Sequence, residues 1–140
     1  MIYVMKLMKE PFEKIAANEK TIELRLFDEK RRRIDIGDKI IFENFEDSSR
    51  RIAVLVKSLH RYTTFEELFT DISPEKCGLT DTHNPNEASA KMSQYYTNEQ
   101  IQKYGVLGIG IALIDVEIVL KELEKQKEAD FERLFPDGMK

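Results

Sequence analysis

The chain has 140 residues, 41% hydrophobic and 34% charged, which describes one well-solvated domain long enough to bury a core. Its formal net charge of −4 excludes the strongly basic character of an indiscriminate nucleic-acid binder, although a local basic patch stays open. The lone cysteine, Cys77, excludes an internal disulfide, and with only two histidines, His60 and His83, the chain is a poor candidate for a thiolate-rich zinc site.

The opening "MIYVMKLMKEPF" lacks the uninterrupted apolar stretch and small-residue cleavage site of a signal peptide. Residues 2–8 read as a first strand. "EPFEKIAAN" (10–18) reads as a short helix, with Pro11 in the first turn, Phe12, Ile15 and Ala16 as its apolar stripe, and Asn18 to close it. A second strand is expected over 20–26, where Thr21, Glu23 and Arg25 alternate with Ile22, Leu24 and Leu26. One face of that strand is polar and the other apolar. "FDEKRRRIDIGDK" (27–39) is a charged excursion ending in a Gly37-Asp38 turn. Within 20–33, six cationic residues stand against three acidic ones, so the local balance is basic.

"KIIFENF" (39–45) and "RRIAVLVKSLHRY" (50–62) are the next strands, the second apolar on both faces and hence buried. Thr64 starts a helix over 64–72, with Glu67 completing a capping box. Residues 78–89 are rich in turn formers and are expected to be the least structured. A short helix is expected over 87–96, and a second capping box, Thr97 to Gln100, opens another that Gly105 ends. "GVLGIGIALIDVEIV" (105–119) reads as a strand whose Gly108 and Gly110 mark bends or close backbone approach. The apolar run Val106 to Leu120 is broken by Asp115 and Glu117 and is too short to span a bilayer. Residues 120–135 are helical, with Leu120, Leu123, Phe131 and Leu134 as apolar contacts. Five or six strands with short connections imply an α+β class built on a mixed sheet or small barrel.

"NEKTIELR" (18–25) resembles the G-x-K-x-x-E-x-R signature of the ASCH domain family, which is related in fold to PUA RNA-binding domains. Lys20, Glu23 and Arg25 match it, and Asn18 stands where the glycine is usual. "GDKIIFEN" (37–44), "SLHRYTTFEELF" (58–69) and "YYTNEQIQKYGVLGIGI" (95–111) agree in order and distance, so the resemblance spans about residues 3–120. It implies a single domain over 1–140: a small PUA-like β-barrel of five to six mixed strands flanked by short helices, with 121–140 as an added C-terminal helix. It also implies a cleft lined by the signature residues that binds RNA or a nucleotide. One similar branch hydrolyses the acetyl group of N4-acetylcytidine with a lysine, a threonine and a glutamate. Its lysine matches Lys20, and its threonine falls at Glu23, with Thr21 two positions earlier. Glu66 and Glu67 are the candidates for its glutamate.

Catalytic candidates are therefore Lys20, Thr21 and Glu23, and ligand-binding candidates are Lys20, Glu23, Arg25, Arg31, His60 and Tyr96. A lysine and an arginine can meet phosphate or a carbonyl, and a carboxylate between them can hold their geometry. The spacing alone favours a solvated strand face carrying an ion pair worth about 0–1 kcal/mol; the resemblance reverses that in favour of the cleft. Lys30–Arg33 is either a phosphate-contacting edge or a solvated loop. His60 is a proton carrier or a hydrogen-bonded strand residue, and Tyr95 and Tyr96 are base-stacking or packing residues. Cys77 and His83 have no partner at ligand spacing. No cofactor motif is present: "GIG" at 108–110 lacks the third glycine of a dinucleotide fingerprint. A cytoplasmic, soluble protein with an RNA or nucleotide ligand, no metal and no membrane contact is expected. The sequence does not specify an oligomeric state.

Overall fold

The computed structural model describes residues 1–136. Five strands, β1 (Ile2–Leu7), β2 (Ile22–Leu26), β3 (Lys39–Asn44), β4 (Arg51–Tyr62) and β5 (Val106–Ile114), form one mixed sheet in the order β1-β3-β4-β5-β2. Only β1 and β3 run parallel; β3–β4, β4–β5 and β5–β2 are antiparallel. β4 lies at the centre, as its two apolar faces require, and a bulge between Val56 and Ser58 helps curl the sheet into a half-barrel. β1 and β2 are the two free edges of that curl, and the functional geometry develops where they approach each other.

The helices are α1 (Lys9–Ala16), α2 (Phe65–Asp71), α3 (Pro85–Met92), α4 (Asn98–Tyr104) and α5 (Val116–Leu134), with 3-10 turns at Arg31–Arg33 and Pro74–Cys77. Phe12 and Ile15 of α1 pack with Ile40, Phe42, Val54, Leu107 and Ile109 on one face of the sheet. Phe65, Leu68 and Phe69 of α2 and Ala88 and Met92 of α3 pack with Ile22, Leu24 and Val106 on the other. Gly108 and Gly110 permit the close approach expected of them. A Cβ at Gly108 would stand 3.4 Å from Leu68 Cδ1, and one at Gly110 would stand 2.0 Å from Ser58 Oγ.

Two expected boundaries move. The strand expected to reach 119 ends at Ile114, because Asp115 accepts from the backbone N–H groups of Glu117 (2.9 Å) and Ile118 (3.4 Å) and so caps a helix. Val116, Val119, Leu120 and Leu123 then recur at helical spacing and bury against Ile41 and Ala53. The helix expected over 87–96 instead spans Pro85–Met92: Asn84 caps it, and Pro85 occupies the first turn. Part of the stretch expected to be least structured is thus helical. Phe131 and Leu134 are exposed rather than packed on the sheet, and residues 137–140 of the expected C-terminal helix lie outside the described residues.

The Gly110 contact is testable. Gly110→Ala should destabilise the fold by about 1–3 kcal/mol through overpacking against Ser58, and adding Ser58→Ala should recover part of that loss. Equal denaturation midpoints for the two variants would contradict this packing.

Candidate functional site

The turn from α1 into β2 places the signature residues. Asn18 adopts a left-handed backbone (φ 61°), a conformation open to asparagine and glycine, which accounts for its standing at the glycine position. The backbone N–H groups of Glu19 and Lys20 then both donate to Lys14 O, at 2.8 and 3.1 Å, and the N–H of Thr21 donates to Lys76 O at 2.9 Å. These bonds turn the Lys20 side chain inward beneath Gly78. Gly78 is itself left-handed (φ 84°), and a Cβ there would lie 3.0 Å from Lys20 Cδ, so glycine is needed twice over.

Glu23 is the centre of the site. It is 3% exposed, and the polar face of β2 is therefore covered rather than solvated. Its Oε1 lies 2.8 Å from Lys20 Nζ and accepts from the Leu24 N–H at 3.1 Å. Its Oε2 accepts from Arg25 Nε at 3.2 Å and Nη2 at 3.0 Å. Burial pushes the Glu23 carboxyl up, but the charges of Lys20 and Arg25 and their hydrogen bonds outweigh it and hold the group below the ordinary carboxylate value. Arg25 Nη2 also donates to Lys6 O at 3.2 Å, joining edge strand β2 to edge strand β1.

Around this cluster opens a cavity of about 430 Å³, walled by the end of β1, α1, β2, the segment after the second 3-10 turn and the end of α3. Lys6, Lys14, Lys20, Arg25 and Lys91 line it against three carboxylates, those of Glu10, Glu23 and Asp81. Lys14 Nζ donates to Gly78 O at 2.7 Å. Tyr95 and Tyr96 form one wall; Tyr95 is 56% exposed, while Tyr96 is stacked on Phe65 with centroids 6.0 Å apart. Burial raises the Tyr96 hydroxyl pKa, so it remains protonated near neutral pH. Cys77 also lines the cavity, and burial pushes its thiol up to about 12, which leaves it without nucleophilic character near neutral pH.

The structure therefore brings Lys20, Glu23, Arg25 and Tyr96 together and leaves the other candidates elsewhere. His60 pairs with Gly108 and so shares a sheet face with Leu24, opposite to Glu23 and Arg25; its Nε2 lies 2.9 Å from Ser58 Oγ. Arg31 is held by Asp28 at 2.8 Å and does not line the cavity, although its charge reaches Tyr96. Thr21 is absent from the lining, as are Glu66 and Glu67; Glu67 accepts from the Thr63 hydroxyl at 2.7 Å. Lys6, Lys14, Gly78 and Lys91 are the contributors that sequence reasoning missed. Lys14 stands on α1 just before the signature, whereas Lys6, Gly78 and Lys91 come from other segments, and only Gly78, after a short 3-10 turn, carries a local signal. Among the described residues no group of three or more histidine, cysteine or acidic side chains is placed to hold a metal ion. Likewise none of their helices is long and apolar enough to cross a membrane.

A family model described as the ASCH domain matches residues 5–115, and the chain belongs to that family. The crystal structure of hypothetical protein PH0355 is 38% identical with a TM-score of 0.72, the match covering 81% of this chain and 100% of that one. The solution structure of protein PF0455 from Pyrococcus furiosus is 34% identical with a TM-score of 0.65, covering 82% and 99%. The ASCH protein from Zymomonas mobilis shares the fold at 13% identity, with a TM-score of 0.52 and coverage of 81% and 73%. No curated protein matches the chain.

Breaking the ion cluster should cost stability. Glu23→Gln leaves the buried Lys20 and the partly buried Arg25 without their counter-charge and should destabilise by about 3–5 kcal/mol. Because the folded-state pKa of Glu23 lies below the ordinary 4.5, its stabilisation is complete above that pH and is lost as pH falls through the lower folded value. Denaturation midpoints measured between neutral pH and strong acid should therefore fall more steeply below pH 4.5 for wild type than for Glu23→Gln. Parallel curves would contradict the buried ion pairs.

Proposed function

We propose that this member of the ASCH family binds RNA or a nucleotide in the cavity at the β1–β2 seam. The observation that carries the reading is a reversal of charge. In a chain of net charge −4, the cavity is lined by five cationic side chains against three carboxylates, with two tyrosines beside them. Lysine and arginine side chains meet phosphate and carbonyl oxygens, and an exposed tyrosine gives a base a stacking surface. The volume, about 430 Å³, lies in the range of small-ligand sites and suits about one nucleotide. Lys20 and Arg25 act as donors, Glu23 orients them, and Tyr95 and Tyr96 flank the base.

Hydrolysis of an acylated nucleoside has less support. Glu23 replaces the threonine of that reaction and is held as an ion-paired carboxylate, while Thr21, Glu66 and Glu67 do not line the cavity.

Titrating the four ribonucleoside monophosphates and a short single-stranded RNA against wild type, Tyr95→Ala and Lys6→Ala tests the reading. Both substituted side chains are exposed, so melting temperatures should stay close to wild type. Tyr95→Ala should weaken binding roughly tenfold through lost stacking, and Lys6→Ala should weaken it less, with a shallower salt dependence. Absence of saturable binding by wild type, or unchanged affinity in both variants, would overturn it.

A further inference from the structure

None of Lys30–Arg33 lines the cavity, and the structure gives that basic run a different place. Arg31 is spent on Asp28, but Arg32 turns back on Phe27. Its Nε donates to Phe27 O at 3.3 Å, and its Cζ stands 5.0 Å from the ring centroid. Arg61, at the end of β4, lies over the same ring at 3.8 Å. Two guanidinium groups thus share one aromatic ring, and neither bonds to a carboxylate among the described residues. Glu29, exposed in the same turn, pairs with neither. The ring fixes Arg61 without using any of its N–H groups, and an anion would relieve the repulsion between the two cations.

Beside this pair opens a second groove of about 560 Å³, between Phe27, the end of β4 and the end of α4. Arg61 and Lys103 are its cations; both are exposed and make no hydrogen bond or ion pair among the described residues. Glu67 is its one carboxylate and already accepts from the Thr63 hydroxyl and N–H, at 2.7 and 3.3 Å. Tyr62 and Tyr104 complete the aromatic lining, the Tyr62 hydroxyl being spent on Asp71 at 2.9 Å. Free cations set among aromatic rings are what binders of single-stranded nucleic acid present.

The groove adjoins the nucleotide cavity. Arg25 pairs with Leu107 and Leu107 with Arg61, so the three side chains stand on one face of the sheet. Arg25 and Arg61 are two strand spacings apart, about 10 Å. Phe27 follows Arg25 by two residues, about 7 Å along the chain, and packs in the same hydrophobic cluster as Leu107. Arg25 lines the cavity, while Phe27 and Arg61 line the groove. An acidic peptide would suit the cations of the groove alone. A ligand that fills a nucleotide cavity and runs on into a cationic groove is a nucleic-acid strand.

We propose that the Phe27–Arg61–Lys103 groove holds the phosphate backbone of a single-stranded RNA, one nucleotide of which occupies the cavity. The proposal rests on the nucleotide-binding reading above and narrows its ligand to a strand of several nucleotides rather than a free nucleotide. The strand is single because a base seated in the cavity has left its pairing partner.

Fluorescence anisotropy of a labelled oligouridylate of about eight nucleotides, with uridine 5′-monophosphate titrated in parallel, tests this on the whole chain. The oligonucleotide should bind at least about tenfold more tightly than the monophosphate. Arg61→Ala and Lys103→Ala should each weaken the oligonucleotide and reduce the slope of its salt dependence by about 0.7. Both should leave the affinity for the monophosphate and the melting temperature close to wild type, since both side chains are exposed and outside the cavity. Equal affinities for the two ligands, or salt slopes unchanged in both variants, would overturn the groove and leave the cavity reading standing. Competition by polyglutamate, or by the strand annealed to its complement, as strong as that of the free strand would overturn the single-stranded RNA assignment. Failure of wild type to bind either ligand would remove the cavity reading together with it.

Discussion

A buried carboxylate between two cations organises this end of the molecule. Glu23 is almost fully out of water, and an ionised group there is tolerable only because Lys20, from the turn before β2, and Arg25, on the same face of β2, both reach it. Arg25 reaches on to the Lys6 carbonyl, so the charge cluster also ties the two free edges of the half-barrel together. Edge strands otherwise present unpaired backbone groups to solvent, and a side chain that crosses from one edge to the other fixes their spacing. The cavity lies at that seam.

The surrounding segments serve this arrangement in particular ways. Asn18 supplies the left-handed turn that sends the Lys20 stem inward, and Gly78 leaves room for that stem while its carbonyl accepts from Lys14. Cys77, beside Gly78, fills apolar space as a thiol and adds no charge to the floor. Tyr96 leans on Phe65, which is part of the packing under α2 and α3, so the cavity wall is continuous with the second hydrophobic cluster. The ligand-facing groups are thereby supported by rigid elements and by packed neighbours, as a preorganised site requires. α5 begins at Val116, after the end of the family match at residue 115, and covers Ile41 and Ala53 away from the cavity lining.

Much of the architecture was legible because it rests on local patterning. Alternation in "IELRL", the two-sided apolar character of 51–62, the N-cap at Thr64 and the capping box at Thr97 each specify an element by themselves, although the Glu67 carboxylate accepts from Thr63 and so does not close the box expected at Thr64. Motif order gave the family. Burial of the polar face of β2 was not legible, because what covers it arrives from α1, the Cys77–Asp81 segment and α3. His60 illustrates the same limit: it stands at the register level of Leu24, and the pairing through Gly108 decides which face it takes. Val116–Val119 read as strand because an apolar run has no intrinsic period; the cap at Asp115 tipped it into a helix that buries Val119.

The central claim is that ligand meets the Lys20–Glu23–Arg25 floor, and nuclear magnetic resonance of nitrogen-15-labelled protein tests it most directly. On titration with uridine 5′-monophosphate, the Arg25 guanidinium Nε–H and the Leu24 amide should shift together and saturate with one affinity, since both donate to Glu23. Resonances on the opposite sheet face, around Ser58 and His60, should stay in place. Shifts confined to that opposite face, or saturable binding that leaves Arg25 and Leu24 unmoved, would contradict the account.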